Sequence, residues 1–73
     1  MHIMRQYTDY HLGNCLITDN ILMISVFGKY VVGIIRNYDR PDAKLDFRSR
    51  KEFTEVEDAI DYYNKLIDNE NLR

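Results

Sequence analysis

The chain has 73 residues, 45% hydrophobic and 30% charged, with a formal net charge of −2. That composition describes one globular domain and excludes a disordered chain, a second domain and a global basic field for nucleic acid. Cys15 is the only cysteine, which excludes an intrachain disulfide; with His2 and His11 it falls short of the four ligands of structural zinc.

A chain of this size buries only about 60% of its unfolded surface, so a partner chain is the expected source of further buried area. A lone thiol fits a reducing compartment, and a cytoplasmic protein is expected. MHIMRQYTDY lacks the apolar run of a signal peptide. The longest apolar stretch is broken by Ser25, Gly28-Lys29 and Gly33, short of the roughly 20 residues of a membrane span, so no membrane partner is expected. Plentiful Asn, Ile, Tyr, Asp and Lys point to AT-rich coding sequence, as in low-GC bacteria and their phages.

In chain order, Ile3–Tyr10 reads as a strand, with Gly13-Asn14 as a bend or bulge. Asp19-Asn20 reads as a tight turn pairing Cys15–Thr18 with Ile21–Ile24. Residues 20–37, NILMISVFGKYVVGIIRN, read as a hairpin about Gly28-Lys29, with Gly28 at positive φ. That turn pairs Phe27 with Tyr30, Val26 with Val31, Ser25 with Val32, Ile24 with Gly33, Met23 with Ile34 and Leu22 with Ile35. Asp39-Arg40-Pro41-Asp42 reads as a turn. Lys44–Arg50 alternates, with Leu45 and Phe47 on one side and charges on the other, as an edge strand does. The T-x-x-E pattern of Thr54 and Glu57 is a capping box. Behind it Val56, Ala59, Ile60, Tyr63, Leu66 and Ile67 form one helical stripe, predicting a helix from about 55 to about 68. Asn69 and Asn71 are the expected stop residues. The fold class is α+β: an antiparallel β-meander of three to five strands with one C-terminal amphipathic helix packed on one face.

The hairpin is apolar on both sides. Leu22, Ile24, Val26, Val31, Gly33 and Ile35 share one face, which is expected beneath the helix together with Leu45 and Phe47. Ile21, Met23, Ser25, Phe27, Tyr30, Val32, Ile34 and Arg36 share the other, which one helix cannot also cover. Three covers are open: the N-terminal Tyr7, Tyr10, Leu12 and Leu16; a second copy in a two-fold dimer; or a different partner. A homodimer or other homo-oligomer ranks first, because the chain is small and a sheet face is easily self-complementary.

No residue pattern carries chemistry. In a strand His11 and Cys15 lie roughly 13 Å apart, too far to share a proton or a metal. Glu57, Asp61 and Asp68 read as a solvated helix face. No enzyme, catalytic residue, metal or cofactor is expected. Arg36, Arg40, Lys44, Arg48, Arg50 and Lys51 make the middle of the chain basic, either a solubilising edge or a binding strip. The expected function is a non-enzymatic interaction protein, such as a phage or mobile-element inhibitor that binds a host macromolecule. Its expected partner-binding residues are Met23, Phe27, Tyr30, Val32, Tyr38, Arg48 and Arg50. One alternative is a single-stranded nucleic-acid binder using the same face, with aromatic side chains stacking bases. Another is a small-ligand binder with its pocket at a subunit interface.

Overall fold

A computed structural model describes residues 1–13, 15–40, 42 and 46–71. Four strands, β1 (His2–Leu12), β2 (Leu16–Val26), β3 (Lys29–Tyr38) and β4 (Asp46–Phe53), are followed by helix α1 (Val56–Asn71). The strands pair antiparallel in chain order, so β1 and β4 are the edges. The meander with one C-terminal helix packed on it is the fold expected from the sequence.

Asp19-Asn20 is not a turn. Both residues lie within β2, opposite Asp9 and Thr8 on one side and Arg36 and Ile35 on the other. The extended strand satisfies their side chains across strands: Thr8 Oγ1 donates to Asn20 Oδ1 at 2.8 Å, and Arg36 donates to Asp19. The reversal comes instead between β1 and β2, where the Gly13 N–H donates to the Cys15 carbonyl.

The β2–β3 hairpin turns on Phe27-Gly28, not Gly28-Lys29. Val26 pairs with Lys29, and both turn residues have positive φ, 50° and 74°, the signature of a type I′ turn. Leu22 therefore faces Gly33, not Ile35. A one-residue slip of a strand would turn every side chain over, whereas this two-residue offset keeps each on its expected face.

Opposite Gly33, β4 carries a bulge between the Val32–Lys51 and Ile34–Arg48 pairs, and Ser49 adopts φ 54° there. The extra residue breaks the expected alternation. Arg48 and Lys51 lie on one face with Ile34 and Val32, and Arg50 is turned to the other with Phe47 and Glu52. The Phe47 ring fills the space above Gly33, where a Cβ would collide with it and lie 3.3 Å from the Arg50 Cα. Asn14, Pro41, Lys44 and Leu45, which entered the sequence expectations, lie outside the described residues.

Helix α1 starts one residue later than the capping box implies. The Glu55 carbonyl accepts the first helical bond, from the Ala59 N–H, so Glu55 is the N-cap. The helix also runs through Asn69 to Asn71. Its apolar stripe is the expected one, but it packs on the other face of the sheet. Ala59, Tyr63 and Leu66 are buried against Ile21, Met23, Val32 and Ile34, with Tyr7, Tyr30, Phe53, Val56, Ile60, Tyr62 and Ile67 around them. The reason lies on the opposite face. There Phe47 already occupies the hollow at Gly33, and Gln6, Thr8 and Asn20 make it polar along β1 and β2. No helix among the described residues is long and apolar enough to cross a membrane.

Candidate functional site: the uncovered sheet face

Side chains on the face away from α1 come from all four strands. Across it run the rungs Ile3–Ile24–Val31, Gln6–Leu22–Gly33, Thr8–Asn20–Ile35, Tyr10–Thr18–Asn37 and Leu12–Leu16. Phe47 and Glu52 extend the face onto β4. Ile3 is 50% exposed, Phe47 47%, Tyr10 65% and Leu12 88%, and Leu16 is also exposed. Leu22 and Val31, beside Phe47, are nearly buried. The face thus has an apolar end around Ile3, Ile24 and Val31 and another at Leu12 and Leu16. Between them lies a polar ladder in which Gln6 and Thr8 both donate to Asn20 Oδ1. A shallow depression of about 620 Å³ extends the Leu16 end past Thr18 and Asn37 to Tyr38, Asp39 and Arg40.

The expected partner-binding residues divide. Met23 and Val32 are fully buried under α1 and are corrected to core residues. Tyr30 points to the same covered side and packs against that core. Tyr38 also projects to the helix side, with the Arg40 guanidinium 5.4 Å from its ring centre. Phe27 is 100% exposed at the hairpin tip, in left-handed backbone that only glycine adopts without cost. Arg48 and Arg50 are exposed but part company at the bulge. Arg48 meets Asp46 at 3.4 Å on the helix side, and Arg50 meets Glu52 at 3.0 Å on the uncovered side. The N-terminal segment does not fold over the face; it is β1, in the plane of the sheet. Tyr10, Leu12 and Leu16 add to the exposed surface, and Tyr7 packs on the core side.

A second cluster, absent from the sequence expectations, lies on the helix side. Asp19 is fully buried. Arg36 grips it with two bonds, Nε to Oδ1 at 2.7 Å and Nη2 to Oδ2 at 2.8 Å. His11 Nε2 lies 3.1 Å from Asp19 Oδ2 and 3.6 Å from Asp9 Oδ2. Asp9 and Asp19 are direct cross-strand neighbours, so the Arg36 guanidinium relieves a repulsion between like charges. The Arg36 guanidinium is pushed well above its ordinary pKa by its hydrogen bonds to Asp19, against the opposing effect of burial. The cluster ties β1, β2 and β3 together and floors a cleft of about 280 Å³ beneath Leu66 and Asn69, with Arg48 and Ser49 at its side. Asp19 sits among turn-forming residues, so only the register that sets it opposite Arg36 reveals the pair. Among the described residues no group of His, Cys, Asp or Glu is placed to hold a metal ion.

The fold and this surface define a small α+β meander with one sheet face that the described residues leave bare. No protein-family model matches the chain, and neither curated proteins nor solved structures give a significant match.

Proposed function

We propose that this is a non-enzymatic binding protein whose contact surface for another protein chain is the sheet face that α1 leaves bare. One observation carries the reading: large apolar side chains from three strands, Ile3, Tyr10, Leu12, Leu16 and Phe47, stay exposed on a single side of the sheet. Large apolar side chains gathered on one exposed face, rimmed by polar residues, mark interaction sites in a way that singly scattered ones do not. Phe27 fits the same role at the hairpin tip, where a fully exposed ring on strained backbone is available for contact. A nucleic-acid partner has less support. The edge arginines already meet carboxylates, and Tyr30 lies on the helix side.

The test is a photo-reactive amino acid placed singly at Tyr10, Phe47 or Asp61, with irradiation in the expressing cell. The sheet-face positions should form discrete protein adducts, and Asp61, on the solvated side of α1, should not. Equal labelling from all three, or none from Tyr10 and Phe47, would contradict the reading.

A further inference from the structure

Resting on the reading that the bare face is a docking surface, we propose that its occupant is a second copy of this chain, packed face to face about a two-fold axis at Asn20. The first argument is size. The molecule measures 39 × 26 × 15 Å, so its broad face has a footprint on the order of 1,000 Å². A stable interface of standard size takes about 800 Å² from each partner. The buried core lies between the sheet and α1, and among the described residues nothing packs on the sheet's other side, so a partner there would add buried area that so small a chain lacks.

The second argument is pattern. An isologous interface requires a surface that is its own complement after a half-turn. On β2, Leu16 and Ile24 stand equally far from Asn20, and their β1 neighbours are Leu12 and Ile3. An axis lying in the face and crossing the strands at Asn20 keeps β1 over β1 and β2 over β2 while reversing their direction. It sets Leu12 and Leu16 on the partner's Ile3 and Ile24, and the reverse. The polar ladder then meets the partner's ladder at the axis. There Asn20 has a use for its amide N–H groups: its Oδ1 accepts from Gln6 and Thr8, and among the described residues its nitrogen donates to none. Two sheets stacked this way lie about 10 Å apart with strands crossing at about 30°. Edge-to-edge pairing through β1 would leave both apolar ends in water, which is why the face is the chosen contact.

The experiment is light scattering on a sizing column from micromolar to millimolar protein, for the wild type and three variants. The wild type should have twice the chain mass of 8.8 kDa, about 17.6 kDa. Leu12→Glu with Leu16→Glu should restore the 8.8 kDa monomer with unchanged far-UV circular dichroism. Leu12→Glu alone, at a side chain 88% exposed, should weaken the dimer at least roughly tenfold. Asp61→Lys should leave the dimer intact. A wild type that stays monomeric throughout overturns the second copy; cross-links from Tyr10 or Phe47 to a different protein would then still support the docking reading. A dimer that withstands the glutamates also overturns the proposal, since its contact lies elsewhere.

Discussion

Asp19 and Phe27 are the residues at which local preference and final structure part. Asp-Asn is turn chemistry, and Phe is a poor residue for positive φ. The structure places Asp19 inside a strand and Phe27 in the turn because a single register satisfies ten successive β2–β3 pairs, Asp19 with Arg36 among them. That outweighs the roughly 1–2 kcal/mol of strain at one turn residue. Asp19→Ala would strip the largely buried Arg36 guanidinium of the carboxylate it grips. It should cost about 3 kcal/mol in urea unfolding, a large share of the stability of so small a domain. A loss below about 1 kcal/mol would mean the pair is solvated. Phe27→Asn should act in the opposite sense, raising stability by about 1 kcal/mol and the melting temperature by several degrees. In the same variant, sheet-face cross-linking should weaken if the ring is a contact. Asp19–Arg36 was legible in principle, since extending the hairpin in the correct register brings the two together. The turn was not, because Gly28 suits either of two adjacent two-residue turns.

Among the elements, α1 was the most legible, since six apolar residues at helical spacing leave one way to bury the stripe. Its first turn was less so: Thr54 and Glu57 match a capping box, yet the cap is Glu55. Strand β4 was partly legible. Its charge marked an edge, but a bulge is a one-residue insertion that composition does not announce. The bulge is held from the helix. Tyr62 Oη donates to the Ser49 carbonyl at 2.7 Å, its ring lies 5.5 Å from that of Phe53, and Lys51 Nζ sits 4.9 Å from the ring centre. Tyr62→Phe keeps the ring contacts and removes the hydroxyl. It should cost about 0.5–1 kcal/mol and speed amide exchange at Ser49 and Arg50 ahead of the rest of β4. Uniform exchange along β4 would show that the bulge holds without Tyr62.

For the whole molecule, the meander and its helix could be read from the sequence, but the side of the sheet that the helix covers could not. Both faces of the hairpin offer apolar residues in similar number. The tie is broken by partners outside it: Phe47 filling Gly33, and the Gln6, Thr8 and Asn20 ladder. Met23 and Val32 therefore belong to the core, and Ile3, Tyr10, Leu12, Leu16 and Phe47 are the apolar residues left exposed on the other face. Burial in the covered layer also sets the alkaline limit. The Tyr63 phenol is raised above its ordinary value of 10.0, chiefly by desolvation, with Arg5 opposing. The folded state thus holds a proton that the unfolded chain releases, and stability should fall as pH rises past about 10. Arg36, raised as well, stays charged through that range and should not contribute. Tyr63→Phe should lessen the alkaline loss in a series of thermal melts; an unchanged pH profile would place its cause elsewhere.

The assignment of faces underlies both the core and the docking surface, and one measurement addresses it directly: methyl-resolved nuclear Overhauser contacts from Ala59 and the Tyr63 ring within the folded chain. Contacts to Ile21, Met23, Val32 and Ile34 are the predicted result, as these residues form one buried cluster. Contacts from Ala59 and Tyr63 to Leu22, Ile24 and Ile35 instead would put the helix on the other face and contradict the account.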